Sequence, residues 1–283
     1  MNHTLNFQNL LTDLSNARLG TAPLGWPETS PPDLATAYAL AQAVREQRVN
    51  MGEEPVGYKV GFTNRNIWPR YEVFAPIWGT VWKSSLTNCD QASPEGTLAG
   101  VLSLQGLCEP RIEPEIVFCL RVAPPADCTL EQLAGCVDWV AHGFEIVHTH
   151  FPGWKFTAAQ AVADAGLHGR LLVGQTVKVP TGLSACALAA ALSGLRLKLY
   201  RAGIFKEEGA GTNVLDGPLQ ALLHFVNEIR ALPGAPLLRA GDLVTTGTLT
   251  DAYPVQPGET WHTEIDAAGP VADQLKGLTV RFE

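Results

Sequence analysis

The chain of 283 residues has no Cys-x-x-Cys pair and no cluster of Lys or Arg. It also lacks any apolar run of about 18 residues, the length a membrane helix needs. The first absence argues against a structural zinc knot, the second against binding of polyanions, and the third against a membrane span. Charged residues make up only 17%, and the formal charge is −8, so no broad field attracts nucleic acid. The N-terminus lacks a basic stretch followed by a continuous apolar segment, as an export signal requires. With its six cysteines scattered, the chain is expected to carry free thiols in the cytoplasm. Cys119 and Cys136 stand in apolar segments and read as small buried hydrophobes. What is abundant is apolar residue (46%) together with 27 Gly and 20 Pro, the composition of a globular protein with many turns.

The length suits one large domain, or a small arm followed by a main domain. Between Gly20 and Pro32 repeated Pro and Gly break any periodic structure, so a surface connection is expected. From Asp33 to Arg48 helix formers with apolar residues at helical spacing predict a helix. After Pro55 the texture changes to short apolar or alternating runs between Gly and Pro: 56–62, 78–82, 113–122, 144–148 and 170–173. These are candidate strands. A second helix is expected over Leu130–Ala141, ending at His142-Gly143, and a third over Pro218–Ala231 after an Asp216 cap. The segments 238–247 and 260–265 read as late strands. The division that results is a helical N-terminal region, 1–55, and a mainly β catalytic region, 56–283.

Glu113 and Glu115 lie two residues apart at a strand start, so both side chains leave the same face. Two unpaired carboxylates in one volume repel each other, and a divalent cation removes the conflict while keeping both ionised. Glu145 is a lone acid in the apolar run Gly143-Phe-Glu-Ile-Val-His148, and a mid-strand acid needs a partner. Three carboxylates suit Mg²⁺ or Mn²⁺ rather than zinc. Spacing alone leaves a second possibility open, two surface glutamates and an unrelated salt-bridged acid.

Several ordered motifs go further. Gly57-Tyr-Lys-Val-Gly-Phe-Thr-Asn64, Glu113-Pro-Glu115, the Glu145 strand, Val162-Ala-Asp164, and Thr246-Gly-Thr248 before Pro254-Val-Gln-Pro-Gly258 stand in the order seen in the fumarylacetoacetate hydrolase superfamily. The resemblance runs from about residue 32 to the end. Within that superfamily the Gly-Tyr-Lys-Val-Gly opening and Gly217-Pro-Leu-Gln-Ala-Leu222 most resemble the 2-keto-4-pentenoate hydratases and 2-oxo-3-hexenedioate (4-oxalocrotonate) decarboxylases of aromatic meta-cleavage pathways. The resemblance implies an α+β, mainly β fold: a mixed β-sandwich roll of the superfamily's C-terminal type, with a helical N-terminal region. It implies a Mg²⁺ or Mn²⁺ ion held by Glu113, Glu115 and Glu145, and a small 2-oxo acid substrate whose carboxylate and 2-oxygen chelate that ion. It also implies a homo-oligomer, and association with a related pathway enzyme.

Other residues then acquire candidate roles. Lys59, in an otherwise apolar strand, needs an anion to offset its desolvation, either a substrate carboxylate or a metal-site acid. By resemblance Asp164 assists the metal site or proton transfer, although Ala165 replaces the Asn that relatives often carry next. Thr246, Gly247 and Thr248 offer hydroxyls and backbone N–H groups to a carboxylate or oxyanion. His148, His150 and His168 are candidate acids or bases, His168 first among them. Arg65 and Arg70 are candidate partners for a second substrate carboxylate. The loop after Gly61 holds no His, which disfavours the His/Glu water activation used by hydrolases of the superfamily.

The expected activity is therefore a metal-dependent lyase, with hydration of 2-hydroxypenta-2,4-dienoate first and decarboxylation of 2-oxo-3-hexenedioate as the alternative. Acylpyruvate hydrolysis and an inactive assembly partner are further readings.

Overall fold

A computed structural model describes residues 9–14, 31, 33–65, 68–71, 74–89 and 98–283. The connection expected over 20–32 falls almost entirely outside this set. The helix Leu34–Asn50 starts where the Asp33 carboxylate accepts the Thr36 N–H at 2.8 Å. It runs out at Met51 and at Gly52, whose φ is +93°. Ala37, Leu40 and Val44 recur at helical spacing and are buried. Tyr38 stacks on Trp78, ring centroids 4.9 Å apart, and its hydroxyl accepts the Trp78 N–H.

Thirteen strands follow among the described residues: β1 (Pro55–Gly61), β2 (Ile77–Trp82), β3 (Leu86–Asn88), β4 (Leu98–Leu102), β5 (Arg111–Leu120), β6 (Val137–Val147), β7 (His168–Lys178), β8 (Arg196–Arg201), β9 (Ile204–Ala210), β10 (Leu243–Thr245), β11 (Tyr253–Pro254), β12 (Thr260–Asp266) and β13 (Leu278–Phe282). The larger sheet has the order β2-β1-β10-β5-β6-β7-β3, with β11 added beside β5, and the smaller has the order β4-β13-β12-β8-β9. Both are mixed, because β1–β10, β3–β7 and β4–β13 pair in parallel and the other pairs are antiparallel. Two mixed sheets together with helices agree with the expected α+β fold built on a mixed β-roll. No helix among the described residues is long and apolar enough to cross a membrane.

Two elements differ from expectation. The second helix stops at Gly135, and Val137–Val147 is a strand between β5 and β7. The Thr129–Gln132 capping box nucleates only a short helix, and two flanking ladders recruit the following β-branched and aromatic residues. The third helix does span Pro218–Ala231, but its cap is Gly217 at φ 157°, with no side-chain bond. Asp216 instead meets Arg65. That helix buries Leu219, Leu222, Phe225, Val226 and Ile229. Phe225 reaches Tyr58 of β1 at 5.5 Å between centroids, tying the helix to the sheet.

Alternation along the strands decides the site. Even-numbered residues of β5, namely Ile112, Ile116, Phe118 and Leu120, enter the main core. Odd-numbered ones face the other way, where Val117 and Cys119 join a small apolar cluster with Val81, Ala141, Leu171, Val173 and Leu243. Glu113 and Glu115 lie on that second face.

A candidate metal centre

Register across β5 and β6 sets Glu113 directly opposite Glu145. Cross-strand partners share a face, so the third carboxylate joins the first two. One oxygen of each of Glu113, Glu115 and Glu145 lies within 4.8 Å of the others. Glu115 and Glu145 are completely buried, and Glu113 lies at the edge of a pocket.

The charges are only partly compensated. Lys59 of β1 reaches Glu145 Oε2 with its ammonium at 3.6 Å. Glu145 Oε1 accepts from His168 Nδ1 at 2.8 Å, and Oε2 accepts from the Thr245 hydroxyl at 3.4 Å. Glu115 Oε2 accepts the Gly247 N–H at 2.7 Å, while Glu115 Oε1 is buried with no hydrogen-bond partner among the described residues. Burial pushes Glu113 up to about 7, and Glu145 adds to the effect while Lys59 opposes it. Burial and then the charges of Glu145 and Glu113 raise Glu115 well above the usual range. Burial would also raise Glu145, but Lys59 and His168 outweigh it and hold this carboxyl low. For Lys59, burial acts downward and the three glutamates prevail, so the group stays an ammonium. A buried carboxylate oxygen without a donor, beside two more carboxylates that repel it, is a site that a divalent cation completes. All-oxygen ligands suit Mg²⁺, Mn²⁺ or Ca²⁺.

Beside the cluster opens a pocket of about 310 Å³, the size of a small-ligand site. Lys59, Glu113, Arg111, Thr63, Asn64, Gly247 and Thr248 supply its polar wall, and Phe62, Ile77, Trp154 and Phe156 its apolar one. Gly247 has φ +97°, and a Cβ there would overlap the Thr63 hydroxyl, so both backbone and space require glycine. No histidine lines this pocket among the described residues.

Other sequence-derived candidates lie elsewhere. Thr246 is buried and donates to the Ile116 carbonyl, outside the pocket lining. Asp164, fully buried at the end of the Ala158–Ala163 helix, accepts from His150 Nδ1 at 2.7 Å and from the His150 N–H at 3.0 Å. It is not one of the clustered carboxylates. His168 supports Glu145 from behind, and Ser85 Oγ lies 2.8 Å from its Nε2. Arg65 is exposed and paired with Asp216 at 2.8 Å, and it does not line the pocket. The Arg70 side chain lies outside the described residues. Lys155 is exposed.

Sequence reasoning passed over Arg111, Thr245 and Ser85. Arg111 stands two residues before Glu113, and strand alternation alone would have put it on the same face. For Thr245 and Ser85 no local signal existed, because both reach the site through strand pairing and a turn.

Two known proteins and two solved structures bear on this geometry. A 2-keto-4-pentenoate hydratase of Paraburkholderia xenovorans (strain LB400) is 28% identical over 241 residues, 85% of this chain and 83% of the hydratase. A 4-oxalocrotonate decarboxylase of Pseudomonas putida is 27% identical over 281 residues, 96% and 98% of the two chains. Among solved structures, 4-oxalocrotonate decarboxylase from Pseudomonas putida G7, complexed with magnesium and adipate, superposes with a TM-score of 0.79 at 23% identity over 98% of this chain and 97% of that one. A putative fumarylacetoacetate hydrolase family protein from Yersinia pestis CO92 shares the fold at a TM-score of 0.53 and 15% identity, over 81% and 93% of the two chains. No protein-family model matches the chain.

Proposed function

We propose, on the premise that this chain belongs to the fumarylacetoacetate hydrolase superfamily, that it is a divalent-metal lyase hydrating 2-hydroxy-2,4-dienoates such as 2-hydroxypenta-2,4-dienoate to 4-hydroxy-2-oxo acids. The observation that carries this reading is the convergence of Glu113, Glu115 and Glu145 on one point beside Lys59. Glu113, Glu115 and Glu145 would hold Mg²⁺ or Mn²⁺. When bound, that ion supplies Lewis-acid stabilisation of negative charge on the 2-oxygen of the substrate, which hydration and decarboxylation share.

The chain's own groups do the rest. Lys59 remains an ammonium among carboxylates, so it serves as a fixed positive charge and hydrogen-bond donor, not as a base. It faces the pocket, where an acid head group and the developing enolate would lie. Gly247 donates its N–H to Glu115, which orients that carboxylate, and with Thr248 it forms the pocket floor. His168 donates to Glu145 from the side away from the pocket and fixes its rotamer. Phe62, Ile77, Trp154 and Phe156 shield the diene from bulk water. With no histidine in the pocket lining among the described residues, the histidine route to water activation has no support.

Decarboxylation of a 2-oxo-3-enedioate is the second reading, and Arg111 favours it. Its guanidinium lies in the pocket wall, 4.2 Å over the Trp154 ring, where it can meet a distal carboxylate. Arg65 does not line that wall.

The test supplies each compound to Mg²⁺-loaded enzyme. Hydration removes the dienol absorbance with uptake of ¹⁸O from labelled water and no CO₂, whereas decarboxylation releases CO₂. Neither outcome with either compound, at any Mg²⁺ or Mn²⁺ concentration, would overturn the lyase reading. The exposed Ile204 and Phe205 at the β8–β9 turn support self-association into a homo-oligomer, checked by sedimentation.

A further inference from the structure

Behind the carboxylate cluster lies a second, separate cavity of about 90 Å³. At about 30 Å³ per water it has room for roughly three waters, or for one oxyanion of four or five heavy atoms. Its lining includes Arg48, Arg170, His148, His150 and His168, and no Asp or Glu among the described residues. Arg170 donates to two backbone carbonyls, of Gly169 at 2.9 Å and Gln105 at 3.0 Å, and has no carboxylate partner among the described residues. Arg48 lies 4.1 Å over the Trp82 ring and pairs loosely with Glu53 at 3.5 Å.

His150 supplies an independent observation. It is 1% exposed, its Nδ1 is engaged by Asp164, and its Nε2 is buried with no hydrogen-bond partner among the described residues. A buried ring nitrogen without a partner costs free energy unless something in the cavity completes it. Asp164 accepts from Nδ1, so Nε2 either accepts from a ligand O–H or, as an imidazolium offset by Asp164, donates to an anionic oxygen. His148 Nδ1 accepts the Cys108 N–H at 3.3 Å. The cavity therefore combines guanidinium donors with the His150 ring nitrogen.

We propose that this cavity is a binding site for a small protonated oxyanion, of the class of hydrogen phosphate or hydrogen carbonate, distinct from the substrate pocket. The anion's oxygens meet Arg170 and Arg48, and its hydroxyl or an oxygen meets His150 Nε2. Asp164 is then a positioning residue that fixes the His150 ring.

The test is ¹⁵N NMR of the full chain labelled at histidine, in excess Mg²⁺, titrated separately with inorganic phosphate and hydrogen carbonate against chloride at equal ionic strength. The His150 resonances, assigned with His150→Gln, move saturably with at least one oxyanion and not with chloride, and which of them does so identifies the ligand. Arg170→Gln raises the half-saturating concentration at least tenfold, and Arg170→Lys raises it less. Glu113→Gln, which weakens the metal site, leaves it unchanged, so binding at the metal is distinguished. His150 signals indifferent to both oxyanions, or an equal response in Arg170→Gln, or loss of the response in Glu113→Gln, would show a hydrated cavity only and overturn the proposal.

Discussion

Removing the negative charge of one of the three clustered glutamates should stabilise the metal-free protein. Glu113 has its carboxyl pushed up to about 7 from an ordinary 4.5, primarily by burial. The folded chain therefore binds a proton that the unfolded chain has released between those values, and the stability of the folded state falls as pH rises through the window. Full ionisation costs up to about 3 kcal/mol at pH 8. Gln mimics the protonated acid, so Glu113→Gln in excess EDTA should match the parent near pH 4.5 and exceed it by up to about 3 kcal/mol at pH 8. Glu145 still pairs with Lys59 in the variant, so no buried ammonium is abandoned. A second titration in the range has the opposite sign: burial lowers His142 from 6.5 to about 4, so its contribution grows as pH rises to about 6.5. The difference between variant and parent cancels that term, since His142 bonds the Glu115 carbonyl and Thr263 and touches neither form of residue 113. Urea unfolding followed by tryptophan fluorescence measures the difference. Excess Mg²⁺ should reverse the order at pH 8, because the parent gains the binding free energy and the variant loses a ligand. A metal-free difference that stays flat from pH 4.5 to 8, or favours the parent, would refute the account of an electrostatically frustrated cluster.

Three further outcomes follow from the same geometry. Glu145→Ala removes the partner of a buried ammonium as well as a ligand, so Mn²⁺ binding by calorimetry should vanish, with cooperative unfolding weakened by about 3–5 kcal/mol. His168→Phe withdraws the donor that holds Glu145, and metal affinity should drop about 10- to 100-fold with activity restored at high Mg²⁺. Gly247→Ala places a methyl group against the Thr63 hydroxyl at a φ of +97°, and thermal unfolding should report a loss of at least about 1–3 kcal/mol.

Much of the frame was legible because it depends on local patterns. The Leu34–Asn50 helix announces itself by apolar spacing, and the span of the last helix, Pro218–Ala231, was also legible, although its cap is Gly217 and not Asp216. Strand β5 could be read from its alternation. The second helix was over-extended because Cys136 to Ala141 has no local break, and only the ladders from β5 and β7 make it a strand. Of the smaller sheet only β12 was read, as the late strand 260–265; β4, β8, β9 and β13 escaped notice, since they are short and β4 reaches β13 only by pairing between distant segments.

For the site, strand period alone placed Glu113 and Glu115 on one face, and the ordered motifs drew in Glu145 and Lys59. Tertiary structure decided the rest. Register set Glu145 opposite Glu113, and the insertion of β10 between β1 and β5 brought Thr245 and Gly247 to the carboxylates. The same folding turned His168 to the back of Glu145, gave Asp164 to His150, and left Arg111 rather than Arg65 in the pocket wall. A sequence determines which face each side chain takes within its own strand, because that period is a property of the backbone. Which faces meet is determined by pairing across a hundred residues of chain, as from Glu145 to Thr245, and that only the fold supplies.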